Sequence, residues 1–328
     1  MTNRKAFGLL VIMNVIWGGS YAVSKWVLTY VTPAFLSMTR FLLGGFLLLF
    51  LAEKNYLSSS KETLSSLISS EQNPQQSLIK RIFNQIRISK RNFIELALVY
   101  GLGISVGFIV HYHGVRLTTS LKASVEMTLE PVFMILLAII FLGEPVKKRT
   151  LLGLFVSFTG TLLLVFDGKD YNQIINELST GGQTLGDFLV ILSLLLGSAY
   201  CVMNKPLAKK IGPFKSTAWG CIIASVLIMP IVLYETYNGA QIQINIGVIL
   251  AILFLGVLCT AVGYGLWNKI LMKMPASDMA ITINIQPVAG VLAGLVFMGE
   301  SLGIVGVIGA FTTLFGIWIV PISPFDKE

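Results

Sequence analysis

The apolar residues of this chain come in runs of roughly 17–23, each long enough to cross about 30 Å of hydrocarbon. Inside a bilayer no water is available to backbone N–H and C=O groups, so such runs are satisfied internally as helices. Helices are predicted at about 7–28, 34–52, 92–113, 120–142, 149–166, 186–206, 216–234, 247–268, 277–298 and 303–320. The runs also repeat. Thr128-Leu129-Glu130-Pro131-Val132, leading to Phe141-Leu142-Gly143-Glu144, returns 156 residues later as Asn284-Ile285-Gln286-Pro287-Val288, leading to Phe297-Met298-Gly299-Glu300. At the same offset Gly107 matches Gly263, and Gly153, Phe155 and Gly160 match Gly309, Phe311 and Gly316. The expected fold is an all-α integral membrane protein of ten transmembrane helices. Five helices per half is an odd number, so the two repeats lie inverted. The first repeat is 1–166, with an insertion at 53–91; an external connector spans 167–185; the second repeat is 186–328. Two related bundles in one membrane chain are the architecture of a transporter, with its site between the halves.

Charge sets the orientation. Only 12% of the residues are charged, against about a quarter in soluble proteins. With the N-terminus inside, the cytoplasmic segments hold 19 of the 24 Lys and Arg residues, from Arg4 and Lys5 through Lys147, Lys148 and Arg149 to Lys327. That asymmetry places both termini in the cytoplasm and the chain in the cytoplasmic membrane. It also accounts for the net charge of +8. No basic face of a folded soluble domain is left over to bind nucleic acid. The first apolar run continues past signal-peptide length to about Leu28, so it is read as a retained helix.

Within the insertion, 56–77 is rich in Ser, Gln and Asn and is expected to be disordered. In 78–91, Ile79, Ile82, Phe83 and Ile86 recur at helical spacing among five basic residues. This fits either a basic amphipathic helix on the inner leaflet or a solvated linker. Cys201, Cys221 and Cys259 lie inside apolar runs with no zinc or disulfide spacing and read as small buried side chains. No P-loop, nucleophile elbow or metal pattern is present, so the sequence implies no cofactor, no metal and no enzyme activity.

The candidate site residues are the polar ones inside the membrane, where charge is costly and marks a pathway or a partner. Lys122, Glu126 and Glu130 recur at a spacing of four, which places them on one helix face. Their matches 156 residues on are Asp278, Thr282 and Gln286, so two polar stripes are expected to face one cavity. At 1.5 Å per residue Glu130 lies about 15 Å deep, near the midplane. Pro131 and Pro287 lack an N–H, which frees the carbonyls of Met127 and Ile283. Thr282, Asn284 and Gln286 on one side, and Lys122, Glu126 and Glu130 on the other, are therefore read as solute-binding. Arg40 is either a counter-ion to a glutamate or a substrate contact. Tyr264 and Trp267 either stack on a solute or anchor the interface. Glu126, Glu130 and His111 are the candidates for proton coupling. Glu144 and Glu300 read as turn and packing residues.

Trp17-Gly18, Arg40-Phe41-Leu42, the Glu130-Pro131 to Gly143-Glu144 segment and its Gln286-Pro287 to Gly299-Glu300 counterpart occur in order. With these the chain resembles the drug/metabolite transporter superfamily, in its ten-helix EamA-like branch. The resemblance covers nearly everything outside 53–91. It implies two inverted five-helix repeats around a central cavity, and secondary transport of small metabolites, often export of amino acids or related compounds. The long loop at 53–91 departs from that pattern. So does the charge of Lys122 and Glu126, which argues against a purely hydrophobic drug. The reading is a secondary transporter of a small polar or zwitterionic, amino-acid-like solute, working within the lipid bilayer and with protons as a candidate coupling ion. The alternative is a flippase for a lipid-linked sugar or polar lipid.

Overall fold

The structure is a computed structural model that describes residues 3–59, 88–117, 126–167, 170, 172–173, 175–176, 184–298 and 303–320. Among these every regular element is helical. In chain order they are α1 (Asn3–Val27), α2 (Pro33–Ser59), α3 (90–117), α4 (Glu130–Leu142), α5 (Lys148–Val165), α6 (Thr184–Ile211), α7 (Pro213–Tyr237), α8 (Ile246–Leu271), α9 (276–298) and α10 (Ile304–Ile319). Six stretches, in α2, α3, α5, α6, α7 and α8, are long and apolar enough to cross a membrane; the apolar stretches of α1, α4 and α10 are shorter. Ile140, Phe155, Phe311 and Trp318 are each about 70% exposed or more on the outer faces. A belt of that kind is stable against lipid and not against water. The chain is a multi-pass membrane protein.

Hydrogen bonds between loops define the two ends of the bundle. At the end where α1 begins, called here the near end, Lys210 of α6 pairs with Glu95 of α3 at 3.2 Å. At the far end the Gln243 N–H donates to the Tyr30 carbonyl at 2.9 Å, tying the α7–α8 connection to the α1–α2 turn. Also at the far end, Asp167 beyond α5 accepts from the N–H groups of Gly303 and Gly306, at 2.6 and 2.8 Å. Its carboxylate thereby caps the start of α10, where unsatisfied donors favour negative charge.

Helix pairing follows the repeat. α2 packs on α7 and α5 on α10, so each element lies against its own counterpart; α1 packs on α9 as α6 packs on α4. These are the pairs a two-fold relation between halves requires. At the α5–α10 crossing, a Cβ on Gly153 would collide with the Gly316 carbonyl, and one on Gly309 with the Gly160 carbonyl. The four glycines of α5 and α10 that match at the 156-residue offset are thus the ones that let these backbones touch.

The irregularities repeat as well. α3 contains a π segment at Gly101–Val106, and α8 one at Phe254–Tyr264, which brackets the equivalent residues. Such segments are uncommon and cluster at functional sites. Ahead of Pro131 the helical residues Glu126 and Met127 give way to a turn at Thr128–Leu129, and α4 restarts at Glu130. Ahead of Pro287, Ile281–Asn284 tightens to a 3-10 helix. Sequence periodicity had 120–142 as one continuous helix; residues 118–125, Lys122 among them, lie outside the described residues, and the rest is broken before Glu130. The missing proline N–H is the physical reason. α2 runs on to Ser59, so 56–59, expected to be disordered, are helical. No proline or glycine interrupts 53–59. The remainder of that segment and the Ile79–Ile86 pattern lie outside the described residues.

Candidate solute cavity

A cavity of about 190 Å³ lies in the far half and centre of the bundle. Trp17, Ser20 and Ser24 of α1, Arg40 of α2, and His111 and Tyr112 of α3 form one part of its wall. Ser193, Gly197, Tyr200 and Cys201 of α6 and Glu130 of α4 face them, with Tyr264 and Trp267 of α8 and Gln286 of α9 below. Met127 and Ile283, whose carbonyls lose a donor to the prolines, also line it. The two helix breaks thus meet at one space, as irregular backbone inside a membrane protein does where it borders a cavity.

The breaks are held from both sides. Gly18 lets α1 approach α9 so closely that a Cβ there would overlap the Gln286 carbonyl. On the other side, Ser198 of α6 donates its hydroxyl to the Glu130 carbonyl at 3.2 Å. The Glu130 side chain is partly buried, lines the cavity, and makes no hydrogen bond or ion pair with any described residue. A membrane-embedded carboxylate without a fixed partner is available to a solute or a proton.

Arg40 is buried, at 5% exposure. Its Nε donates to Thr260 Oγ1 of α8 at 3.2 Å. Its guanidinium carbon lies 5.2 Å from the Phe41 ring centre and 5.3 Å from that of Phe108. Among the described residues no carboxylate stands within ion-pair distance of it. Sequence spacing left open whether Arg40 is a counter-ion to a glutamate; in the structure its neighbours are a hydroxyl and two rings.

A cluster of rings forms another part of the wall. Tyr264 lies 5.4 Å from Trp17, 6.0 Å from Tyr200 and 6.4 Å from Phe41, ring centre to ring centre, and Trp267 lies 5.5 Å from Trp17. Asn268 holds Tyr200 in place, donating its Nδ2 to the Tyr200 hydroxyl at 3.1 Å and to Thr217 Oγ1 at 2.8 Å. His111 Nδ1 is 3.1 Å from Ser193 Oγ, across the cavity wall between α3 and α6. Among the described residues no three His, Cys, Asp or Glu side chains converge at metal-binding distances.

The structure brings together six residues singled out in the sequence: Arg40, His111, Glu130, Tyr264, Trp267 and Gln286. It separates others. Thr282 accepts from Asn14 Nδ2 at 3.2 Å and Asn284 donates to Ser157 Oγ at 2.7 Å, so both face neighbouring helices and neither lines the cavity. Asp278 accepts from Thr150 at 3.2 Å at the near end. Glu126 is partly buried and lies outside the lining. The expected pair of matched stripes thus meets at one rung, Glu130 and Gln286. From that rung the two helices run in opposite directions, so Glu126 lies toward the far end while Thr282 and Asp278 lie toward the near end. Sequence reading missed Asn14, which accepts from Gln286 Nε2 at 2.9 Å; its signal is an amide in the middle of the first apolar run.

It also missed the near-end closure. Gly143 takes φ +62°, a left-handed conformation that favours glycine, and ends α4 with a Glu144 N–H to Ala138 carbonyl bond at 3.3 Å. That turn aims Glu144 beneath α6, where it meets Lys205 Nζ at 2.5 Å. Lys205 also donates to the Met274 carbonyl at 2.8 Å, and the Ser277 N–H donates to Glu144 at 3.3 Å. Both charged side chains are nearly buried, at 10% and 11% exposure. One ion pair therefore ties the α4–α5 loop, α6 and the α8–α9 turn across the near end of the bundle. Read as a turn and packing residue from sequence, Glu144 is in addition half of this pair.

Comparison with known proteins agrees with this architecture. A solved chain described as a crystal structure of a protein superposes with a TM-score of 0.71 over 95% of this chain and 94% of its own, at 15% identity. An uncharacterized transporter of Bacillus subtilis, YyaM, is 24% identical over 97% of this chain and 93% of its own length. An uncharacterized transporter of Archaeoglobus fulgidus is 29% identical over 69% of this chain and 78% of its own. A probable amino-acid metabolite efflux pump of Salmonella typhimurium is 23% identical over 97% and 95%. The EamA-like transporter family model matches residues 76–166 and 184–321, well over half of the length, and the chain belongs to that family.

Proposed function

We propose that this protein is a secondary transporter that moves a small polar or zwitterionic, amino-acid-like metabolite across the cytoplasmic membrane, in the direction of export, by alternating access between its two halves. The observation that carries the reading is Glu130, a carboxylate in the central cavity without a hydrogen-bond or ion-pair partner for its side chain among the described residues. Arg40 supplies the opposite charge in the same cavity, and the ring-lined wall suits the apolar part of a solute. The excess of Lys and Arg at the near end supports a cytoplasmic near end. The cavity then belongs to the outer half, with the Lys205–Glu144 pair closing the inner end, which is one of the two states alternating access needs. The efflux named for the Salmonella relative agrees with this direction.

The test is the thermal stability of the purified protein against amino acids, nucleotides, sugars and lipid headgroup analogues. A ligand at 100 times its dissociation constant adds about 2.7 kcal/mol. A shift with amino acids that vanishes in Glu130→Gln is the expected result. A shift with headgroup analogues alone overturns it in favour of a flippase.

A further inference from the structure

Arg40 is a buried charge with no opposite charge beside it among the described residues. A buried charge is stable when it is paired and its hydrogen bonds are filled. Arginine presents several N–H donors in a planar fork matched to a carboxylate. Here Thr260 takes the donor at Nε. The rings of Phe41 and Phe108, edge to face at 5.1 Å, contact the guanidinium and restrict its rotation. Tyr112, which lines the cavity with it, offers a hydroxyl and not an anion. The fork therefore stands pre-oriented in the cavity wall with no anion on it among the described residues.

We propose that Arg40 is an anion subsite, and that a carboxylate of the solute docks on its guanidinium in the cavity. The proposal rests on the transport reading above and sharpens it: the solute carries a carboxylate, with Glu130 left for a solute ammonium group or a proton. Arg40, Glu130 and Tyr264 all line the same cavity, so the two charges flank one space. His111, neighbouring Tyr112 at 5.9 Å between rings, is the other titratable group on that wall. Its Nδ1 is engaged by Ser193, and it carries no carboxylate that would compete for Arg40.

The experiment compares four probes of one skeleton on the purified full chain: leucine, its amide, its deaminated acid and its decarboxylated amine. Binding and ligand-free unfolding temperature are measured for the wild type, Arg40→Gln, Arg40→Lys and Glu130→Gln. Truncating one side of a buried, hydrogen-bonded charge pair lowers affinity by about 30-fold or more. Leucine and the deaminated acid should lose that factor in Arg40→Gln, and Arg40→Lys, lacking the fork, should recover part of it. The amide and the amine should bind weakly and equally to wild type and Arg40→Gln. Without ligand, Arg40→Gln should unfold at the same temperature as wild type or higher, since it removes an uncompensated buried charge.

A lowered ligand-free unfolding temperature in both Arg40 variants makes Arg40 a structural residue and overturns the subsite. Equal binding of leucine and its amide to wild type overturns the subsite while leaving the transporter reading in place. If none of the four binds wild type, the amino-acid-like reading fails and the subsite falls with it.

Discussion

α4 and α9 descend from one sequence pattern and do different work. Both carry a polar residue followed by proline, and both break just before it. On α9 the polar residues are bonded into the scaffold: Gln286 donates to Asn14, Asn14 to Thr282, and Asn284 to Ser157. On α4, Glu130 keeps its backbone tied to Ser198 and lines the cavity, its carboxylate without a partner among the described residues. The repeat thus supplies matched scaffolding, and the divergence of charge at one rung supplies the candidate site. A charge left unpaired is a liability in lipid, and one tolerated at a single position of a symmetric pair points to use by a solute or a proton.

The comparison can be broken at several places. The largest effect is expected at the end of α4, where Lys205→Met strands Glu144 in a nearly closed environment. Breaking a buried pair costs about 3–5 kcal/mol. Denaturation in detergent should show that loss, and Glu144→Gln added to Lys205→Met should recover much of it; unchanged stability in Lys205→Met would mean the near end is held by something else. Next, Glu130→Gln should cut flux in proteoliposomes by about 30-fold or more, equivalent to about 2 kcal/mol. It should not lower the unfolding temperature, and it should abolish any response of uptake to an imposed pH gradient. Adding Gln286→Glu should not restore flux, because that side of the rung is already committed to Asn14; restored flux would make the two halves interchangeable.

Smaller effects are expected on α9. Gln286→Leu leaves the Asn14 Oδ1 without its donor and should destabilise by about 1–3 kcal/mol. A double-mutant cycle with Asn14→Leu should show the two changes to be less than additive. Asn284→Ala removes one hydrogen bond to Ser157, should cost about 1 kcal/mol, and should leave flux at the wild-type level. A flux defect in Asn284→Ala with stability intact would bring that residue into the solute path, against its position in the packing.

Much of this was legible in the chain because the membrane restricts what an apolar run can become. Run length marked the helices, and the 156-residue match marked the repeat; that its matched glycines meet at the α5–α10 crossing came from the structure. Glu130, Gln286, Arg40 and His111 stood out because polar atoms are rare in such runs. What spacing could not carry is that a helix face can be interrupted. Glu126 and Glu130 share a face along an unbroken helix, and the turn at Thr128–Leu129 ahead of Pro131 interrupts it. Thr282 and Gln286 are matched by the same spacing, and between them Ile281–Asn284 is a 3-10 turn.

By itself, then, the sequence determined a helical membrane protein with two related halves and a few intramembrane charges, since hydrophobic length and the cost of buried polarity act locally along the chain. Only the tertiary structure decided which of those charges have partners. Lys205 and Glu144 are 61 residues apart and meet at 2.5 Å, whereas Arg40 and Glu130, candidates for each other, stand without an ion-pair partner among the described residues. Pairing depends on how helices cross, and crossing is set by where glycines let backbones touch and where prolines break them.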